Sequence, residues 1–219
     1  MDRFNYLKRV VAITGHYGCG KTNFALNLAL HTKNTEQEVV LIDLDIVNPY
    51  FITSDFSEML TAEGVSVINS QYANSLIETP SVSREISAVI RSDRQVIIDV
   101  GGDDVGAVAL GRFWQDFEAV NGLDVIYLFS IYRPQTGSIE DVRRHVEAIE
   151  ISSRQKVTGL VNSSNLAGYT TLADIERSEE FSTRLSEYLE LPLIATLSIQ
   201  EISRDNYWHI SRFVKLPWE

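Results

Sequence analysis

The stretch Val10-Val11-Ala12-Ile13-Thr14-Gly15-His16-Tyr17-Gly18-Cys19-Gly20-Lys21-Thr22 decides the fold. Val10–Thr14 is apolar and β-rich without alternation, as a strand buried on both faces should be. From Gly15 onward the chain fits G-x-x-x-x-G-K-[ST] without a gap, and a random match is expected in roughly 1% of sequences this long. The glycines allow successive N–H groups to turn inward as a nest for anionic oxygens. Lys21 brings a positive charge, and the Thr22 hydroxyl can ligate a divalent cation. A helix starting near Lys21 points the positive end of its dipole at the same anion. The motif predicts a triphosphate site at Gly15, Tyr17, Gly18, Cys19, Gly20, Lys21, Thr22 and Asn23. His16 and Cys19 read as spacers whose amides suffice, although a helix N-terminus would also favour a redox-sensitive thiolate at Cys19.

Two further strand ends carry acids. The first reads Val39-Val40-Leu41-Ile42-Asp43-Leu44-Asp45-Ile46-Val47-Asn48-Pro49-Tyr50-Phe51. Acids ending an apolar strand are costly if buried unpaired, so they either cap the following turn or face a cation. At the carboxyl edge of a parallel sheet, Asp43 would support Mg²⁺ or its water shell, and Asp45 would orient or deprotonate a water. The second reads Gln95-Val96-Ile97-Ile98-Asp99-Val100-Gly101-Gly102-Asp103-Asp104. Asp99 is placed to hold Mg²⁺, directly or through water, and Gly102 lets a backbone amide approach the terminal phosphate. The expected metal set is thus Thr22, Asp43, Asp45 and Asp99. Asp103 and Asp104 read as solvated or as caps for the helix from Gly106.

The same alternation runs along the whole chain. Strands are expected at Val10–Thr14, Val39–Asp43, Val65–Ile68, Val96–Val100, Val125–Phe129, Gly159–Asn162 and Leu193–Ala195. Helices are expected at Lys21–Leu30, Asp55–Ala62, Ser83–Arg91, Ala107–Phe117, Ser138–Ile151 and Leu172–Leu189. This predicts an α/β class, doubly wound, mostly parallel sheet of about seven strands with helices on both faces. The 219 residues, 44% of them hydrophobic, read as one nucleotide-binding domain with residues 199–219 as a C-terminal helix or tail packed on it. Nineteen basic against 30 acidic residues give a net charge of −11, which repels phosphate backbones and argues against nucleic-acid partners. One cysteine excludes a disulfide framework, and no apolar run is long enough to span a bilayer. The expected compartment is cytoplasmic.

At the end of the Gly159 strand stands Val161-Asn162-Ser163-Ser164-Asn165-Leu166. The Asn162 amide can donate to and accept from a purine, or can close an Asx-turn. No N-K-x-D sequence occurs, which weakens a guanine reading. The segment Thr196–Gln200 could close over the same base. Arg133, in Tyr132-Arg133-Pro134, suits a phosphate or partner contact and equally a surface ion pair.

Taken together, these residues resemble the MinD/ParA/CobQ/CobB-type (SIMIBI-class) P-loop NTPases, a group that includes the nitrogenase iron protein and dethiobiotin synthetase. Within it, the chain looks like a bacterial branch marked by I-D-x-D-I-V-N-P-Y-F and D-V-G-G-D. The resemblance runs from Gly15 to Leu193. It implies an ATP site over Gly15–Thr22, a switch-I acid at Asp45, a switch-II Asp99 with Gly101 and Gly102, and an adenine-reading Asn162. One position departs. ParA-type members carry a lysine directly after the first loop glycine, where this chain has His16, and an imidazole supplies no fixed positive charge. Catalysis across an ATP sandwich is not expected by that route, so hydrolysis should be slow or draw on a partner's cation.

The expected function is an Mg²⁺-dependent ATPase switch, with Lys21 and Asp45 as catalytic groups and ATP and Mg²⁺ as cofactors. Loops Val47–Ser54 and Gly101–Val105 would report the nucleotide state to a protein client, a cofactor or metal-site assembly, or a second copy. Two alternatives stand beside it. One is an ATP-dependent small-molecule ligase or kinase like dethiobiotin synthetase, its acceptor lined by Asn48, Tyr50 and Arg133. The other is a nucleotide sensor that does not hydrolyse.

Overall fold

The computed structural model describes residues 4, 7–34, 38–45, 54–69, 80–102, 104–166 and 169–214. Their strands are β1 (Val10–Gly15), β2 (Val39–Leu44), β3 (Val65–Asn69), β4 (Gln95–Val100), β5 (Asp124–Phe129), β6 (Gly159–Asn162), β7 (Leu193–Ser198) and β8 (Tyr207–His209). The helices are α1 (Lys21–Lys33), α2 (Ser54–Ala62), α3 (Pro80–Ile90), α4 (Asp104–Gly111), α5 (Trp114–Ala119), α6 (Ile139–Ser153) and α7 (Leu172–Leu189). All eight strands join one parallel sheet in the order β3-β2-β4-β1-β5-β6-β7-β8. The doubly wound α/β fold read from the sequence is the fold observed.

Residues alternate between two cores across that sheet. Val10, Ala12, Val96, Ile98, Val125, Tyr127 and Phe129 face the core covered by α3, α4, α5, α6 and α7. Val11, Ile13, Leu41, Ile97, Ile126 and Leu128 face the core covered by α1 and α2. Both sheet faces are dry, which is why the strands read as unbroken apolar runs. The helices are stopped and started by local chemistry. Ser138 caps α6, its side chain accepting from the Asp141 N–H, and Thr171 with Asp174 forms a reciprocal capping box on α7.

One expectation differs from the structure. The single helix expected over Ala107–Phe117 is broken into α4 and α5. At the break, a Cβ on Gly111 would lie 2.8 Å from Ser152 O, so α4 runs its backbone against α6 and cannot continue straight. The chain turns through Phe113 N–H to Leu110 O (3.1 Å), which buries both Phe113 and Phe117. For the C-terminal stretch, expected as a helix or a tail, the described residues hold β8 and irregular chain, a tail and not a helix. The second core has fewer helices, and Trp208, Ile210 and Phe213 complete it. Trp208 packs edge-on to Phe4, Phe24 and His31, at centroid distances of 4.6, 5.6 and 5.7 Å.

The topology fixes where a ligand can sit. β1 lies between β4 and β5; its own connection runs toward β2 on one side while that of β4 crosses to β5 on the other, which opens a crevice at the carboxyl ends. Residues 15–20, the end of β2, the end of β4 and the loop after β6 all meet at that edge.

Candidate functional site

The loop from Gly15 to Gly20 joins β1 to α1 with positive φ at Gly15, Gly18 and Gly20. Gly15 is there for close approach as well as for its torsion. A Cβ at this position would sit 2.2 Å from Leu128 O on β5. Cys19 N–H donates to His16 O at 3.2 Å, and Phe24 N–H to Gly20 O at 2.9 Å starts the helix. Lys21 is buried, 6% exposed, and its Nζ reaches His16 O at 3.4 Å. A buried ammonium with, among the described residues, one long hydrogen bond is a strong donor set held ready for an anion.

Across the crevice, Asp43 and Asp99 are register partners on adjacent strands, each 2% exposed. The Thr22 side chain hydrogen-bonds Asp99, and among the described residues Asp99 Oδ1 is buried with no hydrogen-bond partner. Burial, then the charge of Asp43, pushes the Asp99 carboxyl up to about 7; Thr22 and Lys21 act in the opposite direction, and Asp45 adds to the rise. Asp43 Oδ1 accepts the Asp45 N–H at 2.9 Å, so the turn-capping alternative holds for that carboxylate. Asp45 Oδ1 lies 3.2 Å from where a Cβ on Gly101 would stand, which puts the acid against the loop after β4. Gly102 closes the site, since a Cβ there would be 2.8 Å from Tyr17 N and 2.9 Å from Lys21 Nζ.

Three acids thus crowd one ammonium, with one carboxylate oxygen unsatisfied. That donor set fits a hard divalent cation. Mg²⁺ keeps several waters and takes one or two carboxylates plus substrate oxygens, so it needs no complete protein cage. Among the described residues no group of three or more His, Cys, Asp or Glu encloses a metal by itself. Thr22 and Asp99 are the residues that would hold it, with Asp43 and Asp45 behind them.

The raised Asp99 carboxyl has a measurable consequence for the metal-free, nucleotide-free protein. An aspartate near 3.9 unfolded and about 7 folded binds its proton more tightly when folded, so its contribution is favourable at low pH and lost as pH rises through 7. Asp99→Asn should therefore raise the melting temperature at pH 8, and the gain should shrink toward pH 5. Thermal scans at both values check it; a gain that is equal at both would reject the burial argument.

The remaining expected residues divide. Asn162 is fully buried, its Nδ2 donating to Ser178 Oγ at 3.1 Å and its Oδ1 accepting Ser164 N–H at 2.9 Å. This is the Asx-turn alternative, and the amide presents nothing to a base. Asn23 is also spent elsewhere. Its Nδ2 donates to Ser211 O at 3.0 Å and its Oδ1 accepts Phe213 N–H at 2.8 Å, so it holds the C-terminal segment rather than a ligand. Cys19 is 2% exposed, and burial raises its thiol, so the spacer reading replaces the thiolate one. His16 Nδ1 lies 3.1 Å from Tyr17 O, and its ring stands 5.4 Å from that of His145. Tyr17, within the loop, is exposed. Thr196 lies buried within β7. Asn48, Tyr50, Asp103 and most of the Val47–Ser54 loop lie outside the described residues, as does the Asp104 side chain.

Two contacts were not legible in the sequence. Arg133 Nε donates to Gly18 O at 3.0 Å, and Ser163 Oγ to Cys19 O at 2.7 Å. Asn69 is a third surprise, the register partner of Asp43 on β3, completing a polar row Asn69–Asp43–Asp99 across three strand ends. Its only sequence signal is its place as the last polar residue of an apolar run.

No protein-family model matches the chain, and no curated protein does. Solved structures do. The FtsY structure from Mycoplasma mycoides is similar with a TM-score of 0.57 at 17% identity, over 84% of this chain and 58% of that one. The signal recognition particle receptor FtsY from Elizabethkingia anophelis gives 0.51 at 18% identity, over 93% and 62%. Chloroplast FtsY from Physcomitrella patens gives 0.57 at 16% identity, over 85% and 57%. The chain spans about three fifths of the length of those proteins. At these identities the likeness speaks for the fold alone. Among the described residues no helix is long and apolar enough to cross a membrane.

Proposed function

We propose that this chain binds Mg²⁺ and a purine nucleoside triphosphate, ATP first, and hydrolyses it slowly as a switch for a partner. One observation carries the reading: Lys21 lies buried at the head of α1, opposite the orphaned Oδ1 of Asp99 beside Thr22. Backbone amides and an ammonium suit the phosphates, and the carboxylate and hydroxyl suit the metal that neutralises them. Bound Mg²⁺ would supply charge neutralisation on the phosphate oxygens.

The chain's own groups then divide the work. Lys21 stabilises negative charge as it builds on the transferred phosphoryl oxygens. Asp45, at the mouth of the crevice against Gly101, orients a water and takes up its proton. Gly102 packs close to Lys21 and to Tyr17 of the phosphate loop, so a terminal phosphate on Lys21 would press on this glycine and its loss would be felt there. The close packing of α4 on the loop after β4 lets that change travel, because a Cβ on Gly106 would stand 2.6 Å from Gly101 O. His16 stands where a lysine would carry a fixed charge, its Nδ1 3.1 Å from Tyr17 O and its ring 5.4 Å from that of His145, which supports a slow intrinsic rate.

The test is phosphate release from ATP and GTP, with and without Mg²⁺. Release from ATP alone supports the switch. Release only with an added metabolite supports the ligase or kinase reading, and tight binding without turnover supports the sensor. Asp45→Asn should lower kcat by about 100-fold while changing nucleotide affinity less than about threefold, the size of a lost general base. Equal loss of turnover and binding would reject that role for Asp45.

A further inference from the structure

We propose that Arg133 and Ser163 are positioning residues for the phosphate loop, each holding one loop carbonyl from outside. The inference rests on the phosphate-binding reading above and deepens it. Arg133 follows β5 and Ser163 follows β6, so the braces come from the two strands on the side of β1 away from the acids. Arg133 Nε donates to Gly18 O at 3.0 Å, and a Cβ on Gly18 would touch its Cζ at 3.0 Å. The Ser163 hydroxyl lies 2.7 Å from Cys19 O and 2.9 Å from Phe129 O, and the residue's own N–H donates to Phe129 O at 2.9 Å. Ser163 is therefore fastened to β5 before it reaches the loop.

A trans peptide is planar, with its C=O and the next N–H antiparallel. Fixing a carbonyl fixes the following amide. The bond to Cys19 O aims the Gly20 N–H away from β6, and among the described residues no protein acceptor takes that N–H. The bond to Gly18 O does the same for the Cys19 N–H, which otherwise makes only the 3.2 Å bond to His16 O. Three of the loop's residues are glycines with positive φ, so an unbraced loop would sample many orientations and the ordering cost would fall on binding. The two outside bonds remove that cost in advance. Their benefit goes to phosphate oxygens and not to a base, so it grows with the number of phosphates.

Calorimetry with Mg²⁺, using ATP and AMP as probes, tests this on the full chain and on Ser163→Ala, Ser163→Thr, Arg133→Gln and Arg133→Lys. Ser163→Ala and Arg133→Gln should each weaken ATP about tenfold and AMP by about threefold or less, the scale of one lost hydrogen bond. Ser163→Thr should recover ATP affinity. Arg133→Lys should recover less, because an ammonium cannot repeat the guanidinium geometry. Arg133 is exposed, so Arg133→Gln should keep the wild-type melting temperature, which separates loop positioning from misfolding. Equal loss for ATP and AMP, or unchanged ATP affinity in both variants, would overturn the inference. If the wild type binds ATP and Lys21→Ala does not, while the brace variants bind normally, the brace alone fails. If the wild type binds no ATP, the underlying reading fails with it.

Discussion

Lys21→Ala weakens Mg²⁺-ATP by about 100-fold or more, near 3 kcal/mol at about 1.4 kcal/mol per decade. Two losses add. The first is the direct bond from a buried ammonium to phosphate oxygens. The second is electrostatic: buried Asp99 loses the ammonium that offsets its charge and still faces Asp43 and Asp45, in a chain of net charge −11. An anionic ligand then meets a field of its own sign. Lys21→Arg should not restore affinity, because even a Cβ on Gly102 would stand 2.9 Å from Nζ, and a packing this close leaves no room for a planar guanidinium. Titration calorimetry on the purified variants measures both. Wild-type affinity in Lys21→Ala would remove this loop from the account.

Gly15→Ala should be the most damaging single substitution to stability. The new Cβ would fall 2.2 Å from Leu128 O and 3.1 Å from Leu128 C, both backbone atoms of the neighbouring strand. Gly15 and Leu128 are paired in register, so relief means separating β1 from β5 at the middle of the sheet. The φ of 144° adds strain for any side chain. A loss on the order of 4 kcal/mol or more is expected, which for a domain this size lowers the melting temperature by roughly 10 °C. Gly20→Ala is the contrast. Nothing lies within 4 Å of its Cβ, so it should lose only about 1–2 kcal/mol for the left-handed torsion. If thermal unfolding ranks the two equally, the close approach at Gly15 is not what that glycine serves.

The parallel sheet was legible because both its faces are dry. Runs such as Val96-Ile97-Ile98 have no polar face to confuse the period, and Gly15-to-Thr22 announces the strand-to-helix turn. The carboxylates could be placed at the same edge since each ends an apolar strand. What stayed hidden depends on which atoms meet across the chain. The kink between α4 and α5 comes from α4 meeting α6, and no local propensity announces that. The tail became β8 because the second core needed Trp208 and Phe213, which an aromatic-rich segment supplies equally well as helix or strand. Asn23 and Asn162 show one limit of sequence reading. An asparagine beside a phosphate loop or a strand end looks the same in sequence whether its amide faces a ligand or Ser211 and Ser178.

The most direct measurement is the heat of mixing the intact chain with ATP and with GTP, each with Mg²⁺ and again with the metal chelated. One saturable site is predicted, stronger for ATP, that weakens sharply on chelation and is abolished by Lys21→Ala. No binding of either triphosphate with Mg²⁺ present would contradict the account at its root.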